Sequence, residues 1–406
     1  MSRRSQFLLL LALVIAASAI FVPPAVAQTG ATTGVAGTNS AFVNPFPLQD
    51  HRFVCGGITQ AGTPIAGDAD GADGAPGADD GTSGVITISA IPATAQVVGA
   101  KLYWTVLTND AEASSTGGSI LFNGAGVTGA KIGTAAGTPC FSQANTLAWT
   151  ADVTALVPSP GNGSYTVSGF PGGNALAGPN FTEGVTLQIL WGDPFSSTVR
   201  EAVLYHLNPG TGGLPVTNAP GDTFSQSVDS FLAVAPGNGR LFPVIGNGQS
   251  NATETYSVAG SGPAINLDNT LDGSTTAKAA GTCSYTDNAI TECYWDDDVV
   301  PLDTTLNGGD TSVTMSYTIG SDCHDFVAVS AAVDVSPARV CQQCGVFVDA
   351  QCPPGGVYKN HGDYVSCVAH AAEACLAGLP TDGTCPRADI QSCVVSARAK
   401  SDVGKK

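Results

Sequence analysis

Cysteine is the residue type whose spacing in this chain is most informative chemically. The sequence has 12 cysteines, and the pairs Cys367/Cys375 and Cys385/Cys393 share a spacing of eight residues and are nested around residue 380. Positions equidistant from the turn of an antiparallel helical hairpin lie side by side. The spacing therefore predicts the disulfide bonds Cys375–Cys385 and Cys367–Cys393, which would decide whether so small a unit folds.

Two further cysteines, Cys283 and Cys293, flank the turn-like segment 286–289. This spacing predicts a link across a β-hairpin. An even number of cysteines in an exported chain is expected to form disulfides. The sequence assigns no partner to the remaining six, which are Cys55, Cys140, Cys323, Cys341, Cys344 and Cys352.

A zinc site is the alternative interpretation of the C-terminal cysteines. Cys341 and Cys344 form a C-x-x-C pair, and Cys352, His361 and His370 follow. Such residues supply tetrahedral zinc ligands, but the histidines lack the spacing of a zinc finger. The high cysteine density favours disulfides over zinc.

Aspartates crowd a Gly/Ala-rich stretch near the N-terminus. They are Asp68, Asp70, Asp73 and Asp79. Oxygen donors on a flexible backbone suit Ca²⁺, which makes this stretch a calcium hypothesis, although the EF-hand pattern is not met. A solvated linker is the alternative. The run 296–298 is also acidic, and an exposed strand end or turn is favoured there over a cation site.

Signatures of catalysis are absent from the sequence. It has no G-x-S-x-G elbow, no H-E-x-x-H motif, no phosphate-binding loop and no dinucleotide fingerprint. Cys323 and His324 are adjacent, and neighbouring residues of a strand point to opposite faces, which argues against a Cys–His nucleophile. Trp104 and Trp191 alternate with polar neighbours, which indicates core packing more than sugar stacking.

The elements that would position these residues are mainly β-strands. Residues 313–319 and 327–335 alternate apolar with small or polar side chains, the period of a sheet with one wet face. About a dozen such strands, separated by Gly-, Pro- and Asn-rich turns, indicate an antiparallel, jelly-roll-like sandwich. We expect two halves, 84–214 and 215–337, after a Gly/Ala/Asp-rich segment or linker at 28–83.

The C-terminal segment 338–406 has helical spacing instead. A helix that begins near His361 or Gly362 would place Tyr364, Val368, Ala371, Ala372 and Cys375 on one face. Pro386 suits the first turn of a second helix. The sequence therefore predicts a small helical hairpin, stapled by disulfides.

The N-terminus predicts export. A positive start, an apolar stretch from Phe7 to Val22 and an A-x-A site ending at Ala27 are typical of a signal peptide that spans residues 1–27. The chain is then secreted, extracellular or attached to the cell surface. No later segment is apolar enough to span a membrane. The net charge of −18 disfavours nucleic-acid partners.

Four segments of the first half resemble a β-sandwich domain of unknown function found in exported bacterial and archaeal surface proteins. They are Ile88–Pro92, Val98–Trp104, Ala151–Val157 and Gly163–Val167. The IP-x-A, LYW, DVT-x-LV and G-x-Y-x-V motifs occur in this order in that family. The resemblance implies an exported β-sandwich and transfers no catalytic residue.

The C-terminal segment is similar to a short module of other exported bacterial proteins. The similarity lies in 358–370, which reads YKNHGDYVSCVAH, and in the SDVGK sequence at 401–405. This family, too, implies export without an assigned activity. Together the observations favour an extracellular protein with a non-enzymatic binding or structural role and a carbohydrate or protein ligand. The alternative is a secreted hydrolase, for example one acting on glycans, whose carboxylates meet only in the fold.

Overall fold

The computed structural model describes residues 41–65, 82–109, 116–136, 143–172, 180–210, 213–217, 221–246, 253–268, 285–286, 289–290, 295–320 and 323–405. This part of the chain is mainly β, with antiparallel sheets followed by helices that disulfides link, so the predicted fold class is confirmed. No helix of the described residues is long and apolar enough to cross a membrane.

Two sheets, with strands numbered in chain order, form the first half of the β body. The first outer sheet has the order β4 (Ser83–Ile88), β10 (Gly163–Ser168), β6 (Ser119–Phe122), β7 (Ala125–Thr128). The first inner sheet has the order β3 (Gly56–Pro64), β11 (Asn180–Gly192), β5 (Gln96–Thr108), β9 (Asn145–Asp152), β8 (Ala130–Ala136). Alternate residues of the two sheets, among them Phe122, Tyr165 and Trp104, share one apolar core.

Two further sheets form the second half. The second inner sheet has the order β2 (Leu48–Val54), β12 (Val199–His206), β23 (His324–Val335), β15 (Gly239–Gly246), β20 (Trp295–Asp296), with β13 (Val216–Thr217) beside β23 and β21 (Val300–Pro301) beside β15. The second outer sheet has the order β1 (Ala41–Val43), β14 (Thr223–Val228), β22 (Val313–Ile319), β16 (Glu254–Ala259), β17 (Ile265–Asn266). A separate ribbon pairs β18 (Tyr285–Thr286) with β19 (Ala289–Ile290).

The two inner sheets contact each other, so the body is a stack of four layers. The Gln60 amide donates to the Pro243 carbonyl at 2.8 Å, and the Ser330 hydroxyl donates to Gln188 at 3.1 Å. Strand β23 lies in the middle of this stack, and all of its residues are buried. The wet face predicted for 327–335 is therefore wrong, whereas β22 does alternate between the core and the outside.

The strands divide differently from the expected halves 84–214 and 215–337. Strand β12 already belongs to the second half, as do β1 and β2, which lie in the segment 28–83 that was expected to be a linker. The chain crosses between halves at Cys55, between β2 and β3, and again at 193–198, between β11 and β12. Alternation identifies the face on which a side chain lies, but it does not identify the neighbouring strand.

Three helices follow the β body: α1 (Pro337–Gln351), α2 (His361–Cys375) and α3 (Arg387–Ala399). Ser336 caps α1 by accepting a hydrogen bond from the Arg339 backbone amide. The predicted face of α2 is confirmed, because Tyr364, Val368, Ala371 and Ala372 are buried. The predicted hairpin lacked α1, so the C-terminal module is a three-helix unit, which packs on one face of the second inner sheet.

The nested disulfides predicted for the hairpin are wrong. The four cysteines concerned instead form the bonds Cys344–Cys375, Cys341–Cys393, Cys352–Cys367 and Cys55–Cys385. The unpredicted helix α1 and the residue that follows it supply three of the partners, and the end of β2 supplies the fourth. Cys283 and Cys293 lie outside the described residues.

Candidate ligand-binding cleft

A cleft of about 390 Å³ lies between the two inner sheets. Strands β3, β11, β5 and β9 form one wall, and strands β2, β12 and β23 form the other. The volume lies within the range of about 300–1,000 Å³ that small-molecule sites occupy.

The wall on the first inner sheet carries an apolar row. Leu190 of β11 pairs with Ile58 of β3 on one side and with Gly99 of β5 on the other. Ile58 and Leu190 are only half-buried. A Cβ atom at Gly99 would meet only the Leu190 Cβ, at 3.9 Å, so the glycine leaves the cleft open above it.

A polar row runs beside this apolar row. In the strand register, Gln188 lies opposite Lys101, which lies opposite Asp152. These residues are two positions along their strands from the apolar row, so the rows are about 7 Å apart. The Lys101 ammonium is 4.0 Å from an Asp152 carboxylate oxygen, and both side chains reach solvent.

The wall on the second inner sheet combines a charged edge strand with an apolar neighbour. Asp50 and Arg52 of β2 pair in register with Leu204 and Ala202 of β12. The Arg52 Nε donates to Asp50 at 3.1 Å, and its Nη1 donates to the Val98 carbonyl of β5 at 3.2 Å. Arg52 thereby bridges the two walls at the rim.

His206 at the end of β12 also lines the cleft, where it is almost fully buried. Its Nδ1 is 2.7 Å from the Leu207 carbonyl, and its ring meets the edge of Tyr103 at 5.8 Å. Desolvation, with a smaller effect of the nearby Lys101 charge, lowers the pKa of His206 to about 4 against the opposing effect of that hydrogen bond. Burial raises the pKa of Tyr103, and the charges of Asp50 and Asp152 add to this.

The cleft thus offers apolar surface, hydrogen-bonding groups and two pairs of opposite charges. Asp50 lies 3.0 Å from Arg52, and Asp152 lies beside Lys101. Of the lining hydroxyls, that of Thr150 donates to the Leu102 carbonyl, that of Thr154 accepts from the Ala100 amide, and that of Ser330 donates to Gln188. This chemistry suits binding.

The sequence did not single out the residues of this cleft. Asp50 and Arg52 are two apart on a strand and therefore share a face, a signal that the alternation pattern offers. Lys101 and Asp152 lie in two of the segments that resemble the β-sandwich family, but no spacing in the sequence connects them. Their convergence depends on the pairing of β5 with β9, which alternation does not reveal.

Of the four tryptophans of the chain, all but Trp191 belong to the interior. Trp104, Trp149 and Trp295 are buried, and the first two stack in the core of the first half. Trp191 is half-buried and donates to Thr59 at 3.0 Å. The expectation that Trp104 packs in the core is confirmed.

The pair Cys323–His324 does not form a nucleophile. Cys323 is in a disulfide bond. The His324 ring is buried and its Nδ1 contacts the Tyr317 hydroxyl. A thiol nucleophile therefore does not exist at this position.

The candidate metal ligands lead to no metal centre among the residues that the structure describes. Asp68, Asp70, Asp73 and Asp79 lie outside those residues. Asp296 and Asp297 are buried rather than exposed at a strand end. No group of three or more His, Cys, Asp or Glu side chains in the described ranges is arranged to hold a metal ion.

The alternative zinc site is excluded by the disulfides, because Cys341, Cys344 and Cys352 are all bonded to other cysteines. His361 instead lies between backbone carbonyls, with its Nδ1 2.8 Å from Val403 and its Nε2 3.0 Å from Ala399. The segments 358–370 and 401–405, which carry the resemblance of the C-terminal module, therefore contact each other.

Comparisons with known proteins identify no family. No family model matches the chain, and no curated protein matches it. Among solved structures, the chain is similar to the major capsid protein P2 from bacteriophage PM2, with 10% sequence identity over 68% of this chain and 98% of that chain. The TM-score is 0.17, so this similarity supports no argument about function.

Proposed function

We propose that this chain is an exported protein that binds a small molecule outside the cytoplasm, in the cleft between its inner sheets, without transforming it. The observation that carries the proposal is the cleft itself, which is concave, of ligand size and lined by strands of both inner sheets, among them the charged edge strand β2. Binding sites of this kind combine apolar walls with a few polar groups that orient the ligand.

Export is supported by the sequence of the leader and by the disulfides. Four bonds link the described cysteines of the C-terminal module to one another and to β2. Disulfides persist in oxidising compartments and are rare in the cytosol. Intact-mass analysis of protein recovered from the culture medium tests this part. We expect a mature chain that begins at Gln28, and a chain that retains Met1 in the cytosol would contradict it.

Binding is tested by a thermal-shift screen with a library of soluble metabolites, glycans and lipids. A ligand at a hundredfold its dissociation constant stabilises the folded state by about 2.7 kcal/mol. We expect at least one compound to raise the melting temperature of the wild type and not that of Ala202→Phe, which fills the cleft. Asp152→Ala, at an exposed rim position of the cleft, is a second variant that should fold normally and should reduce the shift. A library without such a compound would overturn the binding role.

A secreted hydrolase is the second candidate, and one observation favours it. Asp50 and Asp152 line the same cleft from opposite walls, and glycosidases use two carboxyl groups. Asp50 lies 3.0 Å from Arg52, and Asp152 lies 4.0 Å from Lys101, so each carboxylate has a cation beside it. Release of nitrophenol from a panel of nitrophenyl glycosides, abolished by Asp50→Asn and by Asp152→Asn, would favour the hydrolase and overturn a purely binding role.

A further inference from the structure

The chemical class of the ligand follows from the way the cleft walls are patterned, provided that the cleft is the binding site of the proposed function. The first inner sheet places its apolar row, Ile58–Leu190–Gly99, beside its polar row, Gln188–Lys101–Asp152. Neighbouring rows of a sheet face are about 7 Å apart. A ligand that covers both rows needs an apolar part and a polar part at that separation.

The apolar part is defined by side chains that lack full cover. Ile58 and Leu190 are half-buried although they face the interior of the stack. Ala202 and Leu204 face them from the second inner sheet, and the small side chain of Ala202 adds no obstruction. Binding is favoured when a hydrocarbon group displaces water from apolar surface of this kind, because less apolar surface is then exposed to water.

The polar part is defined by the Lys101–Asp152 pair. The nitrogen–oxygen distance of 4.0 Å is longer than the roughly 2.7–2.9 Å of a direct charge-assisted hydrogen bond. A hydroxyl group placed between them would accept from the ammonium and donate to the carboxylate. The second pair, Asp50–Arg52, is closed at 3.0 Å. The cleft therefore has one open pair of opposite charges, which an uncharged hydroxyl satisfies.

The geometry points to a small amphiphile without net charge as the ligand: a hydrocarbon body against Ile58, Leu190 and Ala202, and a hydroxyl end between Lys101 and Asp152. The paired charges leave no excess of either sign to attract an ionic head group. A purely polar sugar would leave the apolar row in contact with hydroxyls, and a pure hydrocarbon would leave the charged pair unused.

The test uses the full secreted chain, the fluorescent hydrocarbon probe 1-N-phenylnaphthylamine and a series of linear alcohols. We expect the probe to brighten on binding and the alcohols to displace it, with affinity that rises about fourfold for each added methylene group. Leu190→Asn should abolish probe binding. Leu121→Asn is the matched control, because Leu121 is an exposed leucine on the outside of the first outer sheet.

A separate variant tests the hydroxyl end of the ligand. Asp152→Ala should weaken binding of decanol about tenfold, the effect of losing one hydrogen bond to a charged group, and leave the hydroxyl-free probe unaffected. Equal binding by wild type and Leu190→Asn, or equal decanol affinity in Asp152→Ala, would overturn this assignment.

The outcomes also separate this inference from the proposed function. If a sugar stabilises the wild type but not Ala202→Phe, and neither probe nor alcohol binds, the cleft is a binding site and the amphiphile assignment is wrong. If neither the library nor the alcohols bind, both are wrong.

Discussion

His206 illustrates how burial between the inner layers shifts the pKa of a single residue. The ring lies at the cleft, almost fully buried, with the Leu207 carbonyl and Tyr103 as its neighbours. Desolvation penalises the charged imidazolium, and Lys101 repels it, so the pKa falls to about 4. The neutral ring is therefore the form that the folded protein accommodates.

This pKa predicts how stability depends on pH. The histidine of the unfolded chain, with an ordinary pKa of about 6.5, takes up a proton before the folded one does as the pH falls. The free energy of unfolding therefore keeps its full value above about pH 6.5. It falls by about 3 kcal/mol as the pH is lowered from there to about pH 4, the pKa of the folded His206. Urea unfolding followed by tryptophan fluorescence between pH 4 and pH 7.5 measures it.

The matched variants are His206→Gln and His370→Gln. His206→Gln should flatten the pH dependence in this window, whereas His370→Gln should leave it unchanged, because His370 is exposed on α2. An unchanged slope in His206→Gln would contradict the assignment.

At the scale of elements, the helices show what spacing does and does not reveal. The apolar face of α2 was predicted from residues three and four apart. Helix α1 was missed, although Ser336 and Pro337 form a typical helix start and Val340, Cys344, Phe347 and Val348 share a face. Because α1 carries the partners of Cys375 and Cys393, a pairing scheme without it was bound to be wrong.

The link between the C-terminal module and the β body is partly covalent. Cys55 at the end of β2 is bonded to Cys385, which is 330 residues later in the sequence. Non-covalent contacts support it: the Thr384 amide donates to the Pro194 carbonyl at 2.7 Å, and Arg339 of α1 lies 3.7 Å from the buried Glu201 of β12. The module is therefore expected to unfold together with the body.

Removing that disulfide should uncouple the two parts. In Cys55→Ser/Cys385→Ser we expect the module to lose about 2–4 kcal/mol, since a crosslink restricts the unfolded chain. All four tryptophans lie at or before residue 295, so their fluorescence reports on the body, whereas circular dichroism at 222 nm reports on the helices. The helical signal should melt at a lower temperature than the fluorescence signal.

The control variant is Cys352→Ser/Cys367→Ser, whose bond joins residues 15 apart within the module. Because this bond closes a smaller loop than Cys55–Cys385 does, its removal should destabilise the module less. It also leaves Cys55–Cys385 in place. If the two signals of the Cys55→Ser/Cys385→Ser variant still coincide at the wild-type temperature, the covalent link does not hold the module on the body.

At the scale of the whole molecule, the sequence predicted the sandwich and most of its strand faces, but not the layering. Ser316 and Ser330 have the same local pattern, each being a serine between alternating apolar residues. Ser316 on β22 is exposed, whereas Ser330 on β23 is buried and donates to Gln188 of the other inner sheet. The difference depends on contacts between residues 142 apart in the chain, which no local period encodes.

The four-layer stack can be tested with this pair of serines. Ser316→Lys should change the free energy of unfolding by less than about 0.5 kcal/mol, because it adds a charge to a solvated outer face. Ser330→Lys should cost about 3 kcal/mol or more, because the charge would be buried between two sheets. Ser330→Ala, which only removes the hydrogen bond to Gln188, should cost about 1 kcal/mol and keeps the test valid if the lysine variant does not fold. Urea unfolding measures all three, and equal tolerance at the two serines would mean that the inner sheets do not stack.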